Sequence, residues 1–401
     1  MNQHPAASLP IENLASDLGR AHRLLSLALV TLVCGVAVGV TWDRAWHARH
    51  VFETFYSPPH LFVYSVVALA ALMVASMVLR PGIRSWFGQE LSLPPVPFSV
   101  PGSMIILAGG FFTLALAGLL DNLWHTSFGL DETSWSEPHA MISWGLLVVC
   151  LGFAACRLAL RPYRPLRWYT VLMLGYLVLA VSAAPFMGPL YHNNTPDSVR
   201  AVAAIPTLVA QPAAQHTFAI YLQWNLDRTN LLLIPLGALW AGAVLAFVRG
   251  LDRRAWVFLT VVSLWSLVAL LGDRATARRL DQFVPTSHDP ASWLPLPLLP
   301  AAIAIVMLIR ARVPERWAWP ATGLLFGLLT TLTWGTFPLG YLAIAAAAPA
   351  MAAGAPLGRQ VYRALERPTV WGIRALLLAG VTVPLLVGAI DLYVRANTPW
   401  R

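Results

Sequence analysis

Long apolar stretches alternate with short polar connections along nearly the whole chain. About eleven stretches are long enough for a membrane-crossing helix, which needs roughly 18 or more apolar residues: 24–42, 60–79, 103–120, 139–156, 168–188, 229–248, 255–272, 292–310, 317–335, 337–353 and 371–394. The ninth and tenth are separated only by the Trp334–Gly340 stretch. No strand-like alternation competes with this pattern, so the expected fold is all-α, a polytopic bundle of membrane helices.

Composition agrees. Of the 401 residues, 58% are hydrophobic and only 11% charged, where soluble domains carry about 25% charged residues. The net charge of +9 does not describe a nucleic-acid surface, because the arginines are not gathered into one patch. They sit at Arg80/Arg84, Arg157/Arg161/Arg164/Arg167, Arg249/Arg253/Arg254, Arg310/Arg312/Arg316 and Arg359/Arg363/Arg367, in alternate connections. Basic residues concentrate on the cytoplasmic side of membrane proteins, so these loops and the amino terminus are expected in the cytoplasm. Arg274, Arg278 and Arg279 fall on the other side in this scheme. The first 23 residues carry Glu12, Asp17, Arg20, His22 and Arg23 and do not read as a signal peptide. The alanine- and arginine-rich, lysine-free composition suggests a GC-rich bacterial gene and hence the bacterial inner membrane.

The organisation expected along the chain is a cytoplasmic segment 1–23, two helical hairpins within 24–157, and a carboxy-terminal membrane bundle 158–401 with an outer loop at about 189–228. The proline-rich stretch 81–102 reads as a linker with little helix. Cys34, Cys150 and Cys156 all fall in apolar segments and make neither a disulfide framework nor a metal motif.

The two hairpins carry the same polar set at the same place. The first reads Asp43-Arg44-Ala45-Trp46-His47, then Ser57-Pro58-Pro59-His60; the second reads Asp121-Asn122-Leu123-Trp124-His125, then Ser136-Glu137-Pro138-His139. Asp and the first His are four apart, on one helix face. The second His opens the next apolar segment, behind a proline suited to a first helical turn. Both sets fall on the predicted outer face, and so do eight of the ten histidines, all but His4 and His22. One carboxylate and two imidazoles at a membrane surface suit copper, zinc or non-haem iron. Asp43, His47, His60, Asp121, His125 and His139 are therefore the candidate metal ligands. Trp46 and Trp124 suit the membrane interface. Further polar residues within possible reach are His50, Glu53, Asp131, Glu132, His192 and His216, with Asp391 an isolated carboxylate in the last span.

This motif resembles the copper-binding segment of the C subunit of the particulate methane and ammonia monooxygenases. In that family an Asp and two His from adjacent membrane helices bind copper, in the pattern Asp-x3-His-x12-His. The spacing of Asp43, His47 and His60 matches; that of Asp121, His125 and His139 is one residue longer. The resemblance covers about 20 residues in each copy. The family carries one such motif and works with partner subunits, one bearing a soluble copper-binding domain that has no counterpart here.

The expectation is a membrane metalloprotein, a copper-dependent oxidoreductase similar to those monooxygenases, acting on an apolar small molecule reached through the bilayer. Partner membrane subunits or a homo-oligomer are expected, and no nucleic acid. The alternatives are a zinc-dependent membrane hydrolase, with Glu53, Glu132 or Glu137 as base, and a non-enzymatic metal-handling or assembly subunit. Conduction is disfavoured, because the centres of the spans are almost free of polar residues.

Overall fold

The computed structural model describes residues 11–47, 56–92, 99–128, 137–183, 234–280, 295–334 and 340–396. They are almost entirely helical. In chain order the elements are α1 (Ile11–Cys34), a π-helical turn (Gly35–Val40), α2 (Thr41–His47), α3 (Pro58–Val78), α4 (Pro81–Arg84), a 3₁₀ turn (Ser85–Phe87), the strands β1 (Glu90–Leu91) and β2 (Val100–Pro101), α5 (Gly102–Phe128), α6 (Glu137–Leu160) and α7 (Trp168–Ser182). There follow α8 (Ile234–Leu251), α9 (Ala255–Leu280), α10 (Pro295–Arg310), α11 (Glu315–Trp334), α12 (Gly340–Glu366) and α13 (Val370–Ala396).

A helix underlies each of the eleven predicted apolar segments. Over the described residues, six helices are long and apolar enough to cross a membrane: Ala15–Asp43, Pro58–Val78, Gly102–Leu123, Pro138–Leu160, Ile234–Leu251 and Tyr341–Glu366. Trp168–Ser182, Ala255–Leu271, Leu296–Arg310 and Val370–Gly380 are shorter apolar helices. Helical structure is the only economical choice in lipid, since it satisfies every backbone group within the segment.

Three connections carry structure that the apolar segments do not describe. The first 23 residues are helical from Ile11 onward, with Arg20 and Asp17 paired at 3.5 Å one turn apart. Of the 81–102 stretch, residues 81–92 and 99–102 are described; they hold little helix, as expected, yet pack against the rest of their unit. Pro81 starts a short helix, where its missing N–H costs nothing. Gly88, at φ 107°, turns the chain into a two-stranded antiparallel ladder pairing Glu90 with Pro101 and Leu91 with Val100. Ile83, Trp86, Phe87 and Val100 are buried, and the Ser103 hydroxyl donates to the Phe87 carbonyl at 2.6 Å. Arg274, Arg278 and Arg279, expected in the connection that follows the 255–272 apolar segment, lie on α9; Ala and Arg are good helix formers and extend it past the apolar run. Residues 281–294, and the long loop 189–228 with His192 and His216, lie outside the described residues.

The chain divides into two compact units, Met1–Val181 with Tyr362–Gly388, and Ser182–Val361 with Ala389–Arg401. In the first, α1 packs on α3, α5 on α6, and α3 on α5. The start of α13 lies along α5 and α6: a Cβ on Gly109 would come within 2.9 Å of Leu377, and one on Gly380 within 3.0 Å of the Trp144 ring. Phe111 meets Phe153 edge-on at 6.4 Å, inside a core with Leu107 and Met104.

In the second unit, α9 packs on α10 and α10 on α11. α12 uses small residues against two neighbours. Cβ atoms on Gly354 and Gly358 would collide with the Leu239 and Ala243 carbonyls of α8, and one on Gly327 with Ile344 and Ala347 across the α11–α12 contact. Small residues let helix backbones approach where lipid supplies no hydrophobic drive. Trp240 stacks obliquely on Trp265 at 6.2 Å and donates its indole N–H to Ser182 at 2.8 Å.

Candidate functional site

The residues that build the first Asp–His pair begin well before Asp43. Gly35, Gly39 and Asp43 recur every four residues. A Cβ on Gly35 would collide with Val66, and one on Gly39 would come within 2.6 Å of Val63 and 3.3 Å of Phe62. Each step up α1 is thus matched by a step back along α3, from Val66 through Val63 to His60. A pure α-helix would let residues four apart drift around its axis. The π turn at Gly35–Val40 adds a residue to the turn and opposes that drift. The Thr41 hydroxyl ties the far end of that turn to the Ala37 carbonyl at 2.8 Å.

Asp43 then lies in the first turn of α2, and its Oδ1 is 3.1 Å from His60 Nε2. His60 is the third residue of α3, set there by Pro58 at the helix start, with Leu61 N–H bonded to the Ser57 carbonyl at 3.0 Å. The His60 ring also lies 5.9 Å from Tyr64, one turn on, and Trp42 and Phe62 pack at the same separation beside it.

The second pair is built the same way on α5 and α6, with reciprocal glycines. A Cβ on Gly152 would collide with the Leu107 backbone, one on Gly110 would reach 2.6 Å from Val149 N, and one on Gly145 2.9 Å from Leu114. Read along the helices, 107 faces 152, 110 faces 149 and 114 faces 145. Extending this antiparallel register by two turns sets Asp121 opposite Pro138 and His139. Asp121 Oδ1 is 3.7 Å from His139 Nδ1.

The two pairs differ in burial and in the nitrogen used. The Asp43 and His60 side chains are 26% and 14% exposed; Asp121 is 3% exposed and His139 28%. The carboxylate is therefore the sealed partner in the second pair and the more open one in the first. His60 presents Nε2 and His139 Nδ1.

The separation of the first pair is that of two neighbouring ligands of one metal. Zinc-like metals hold imidazole nitrogen and carboxylate oxygen at about 2.0–2.2 Å, which separates two neighbouring ligands by about 3–3.4 Å. The 3.1 Å pair falls within that separation and the 3.7 Å pair slightly beyond it. The same 3.1 Å is also the length of a direct imidazole–carboxylate hydrogen bond.

His47 and His125 have their backbones on α2 and α5, in the helical positions expected, but their side chains lie outside the described residues, as do those of Trp124, Glu137 and Asp391. His50, Glu53, Asp131 and Glu132 lie outside them entirely. Among the described residues no three His, Cys, Asp or Glu side chains come together.

One functional candidate was not legible as such in the sequence. Arg157, counted above among loop arginines, lies in the last turn of α6 and is only 5% exposed. A run of arginines on one side of the membrane signals topology but does not say which one turns inward.

In comparisons with known proteins, no family model, no curated protein and no solved structure matches the chain.

Proposed function

We propose that this protein is a membrane metalloprotein with two Asp-His-His centres, Asp43/His47/His60 and Asp121/His125/His139, and that it acts as a copper-dependent oxidoreductase on an apolar substrate. The observation that carries this reading is the double occurrence of one construction. Glycine-spaced helix packing twice delivers a carboxylate and an imidazole to each other, at 3.1 and 3.7 Å. Capping or solubility would not require the register of two separate helix pairs to end on the same two residue types.

Copper held there would supply one-electron redox chemistry and reaction with dioxygen, with electrons from an external reductant. The chain's own part is positional. Asp43 and Asp121 bring the negative charge that favours a bound cation in a low-dielectric setting. His60 and His139 are held by helix starts whose prolines set where each imidazole begins its span. His47 and His125 complete each set by helical spacing. The apolar surroundings favour a substrate that partitions into lipid. The arginine pattern supports placing the pairs on the non-cytoplasmic side of the bacterial inner membrane.

The test is metal content of detergent-purified protein, with His47→Ala and His125→Ala variants. About two coppers per chain, with one lost in each variant, is the expected result. Zinc in their place would move the reaction class to hydrolysis. No bound metal after reconstitution would leave the pairs as imidazole–carboxylate hydrogen bonds, the second reading that the 3.1 Å separation favours.

A further inference from the structure

Arg157 sits 18 residues along α6 from His139, a rise of about 27 Å, close to the roughly 30 Å hydrocarbon thickness. It therefore marks the end of this unit remote from the Asp–His pairs. It is buried, and its environment is uncompensated. Its Nη2 donates to the Ser26 hydroxyl of α1, and that hydroxyl spends its own proton on the His22 carbonyl at 2.6 Å. Its Nε is sealed from solvent with no acceptor among the described residues. No carboxylate lies within ion-pair distance of it among those residues. Asp17, five residues before His22 on α1, is engaged with Arg20.

Positive charge gathers about His22, whose carbonyl lies one hydroxyl away from Arg157. Arg157, Arg164 and Arg167 all lie within electrostatic reach of His22. Arg164 and Arg167 are exposed and held on the tight α6–α7 connection, where Arg164 N–H bonds the Leu160 carbonyl at 2.8 Å and the Arg167 carbonyl receives the first N–H groups of α7. The partial negative charge at the α6 carboxy terminus offsets only a fraction of this. A buried guanidinium is costly unless an anion joins it. Its planar fork suits a tetrahedral oxyanion.

We propose that Arg157, His22, Arg164 and Arg167 form a binding site for a phosphate group, with Arg157 at its floor and the two exposed arginines at its rim. The group is either the headgroup of an anionic lipid, which basic pockets between membrane helices are suited to hold, or a soluble phosphate. The site does not depend on the metal reading.

The experiment uses delipidated full-length protein, titrated separately with inorganic phosphate and with phosphatidylglycerol in phosphatidylcholine nanodiscs, binding being read by native mass spectrometry and tryptophan fluorescence. Saturable, salt-sensitive binding is expected, weakened about tenfold or more in Arg157→Gln, which removes the charge-assisted contact. A partial loss with a flatter salt dependence is expected in the R164Q/R167Q double variant. Phosphatidylglycerol binding alone identifies a lipid headgroup; inorganic phosphate binding identifies a soluble anion; both support the site. Equal affinity of wild type and Arg157→Gln, or no preference for either anion over phosphatidylcholine, overturns it and leaves Arg157 as a rivet between α1 and α6. If Arg157→Gln does not fold, the exposed double variant decides: unchanged affinity there overturns the proposal.

Discussion

Gly39 of the π turn lies so close to Val63 of α3 that a Cβ added to it would stand 2.6 Å from the valine Cγ2. One turn later, the same helix faces meet as Asp43 and His60. The spacing of a chemical pair is thus set by a steric contact that carries no chemistry.

Gly39→Ala should disturb that pair without touching it. Val63 is β-branched and stiff, so the added methyl pushes the helices apart at a cost of about 1–3 kcal/mol. Thermal unfolding in detergent should show the loss. On the proposed metal reading, metal content should fall at the Asp43/His60 set only, with the Asp121/His139 set unchanged.

The two carboxylates should respond unequally to removal. Asp121 is sealed where Asp43 is partly open. Asp121→Ala empties a sealed position and removes a buried carboxylate from its imidazole partner, costing about 1–3 kcal/mol. Asp43→Ala should cost about 1 kcal/mol or less, since the position the carboxylate vacates is partly open to water. Denaturation midpoints of the two variants, compared in one detergent, check the order; equal losses would mean that burial does not govern the pairs.

Glycine positions give a contrast within helices. Gly354→Leu forces a side chain into the Leu239 carbonyl, which belongs to backbone and cannot rotate away. It should abolish folded protein or cost more than about 3 kcal/mol. Gly118 of α5 has nothing within 4 Å of an added Cβ. Gly118→Ala should therefore stabilise by about 0.5–1 kcal/mol through helix propensity alone. Size-exclusion profiles and melting temperatures of the two variants read both effects.

Ser182→Ala tests the polar tie inside the second unit. It strands the buried Trp240 indole N–H, whose partner is the Ser182 hydroxyl at 2.8 Å. The expected cost is about 1–3 kcal/mol, with a blue-shifted tryptophan emission from the lost hydrogen bond. Ser266→Ala on α9 is the control: its buried hydroxyl has no hydrogen-bond partner among the described residues, so its removal should be neutral or stabilising.

Helix positions and the two polar sets were legible in the sequence because each depends on local order. An apolar run such as 139–156 must be helical in lipid whatever surrounds it. Asp43 and His47 share a face through helical spacing alone. The proline before His60 likewise signals where α3 begins. The packing of residues 81–92 and 99–102 was less legible. Their prolines read as breakers, whereas Pro81 starts a helix, and Trp86 and Phe87 are buried through contacts distant in sequence, such as the 5.0 Å edge-on meeting of Trp86 with Tyr163.

By itself, then, the sequence determined the apolar segments, their helical state and the two repeated Asp–His sets, because each rests on hydrophobicity or spacing within a few turns. Tertiary structure decided which residues face which. The π turn that keeps Gly35, Gly39 and Asp43 against α3, the antiparallel register that carries Asp121 to His139, and the inward turn of Arg157 alone among its neighbouring arginines are properties of two surfaces in contact. Residues far apart in the chain set that fit, and no local pattern records it.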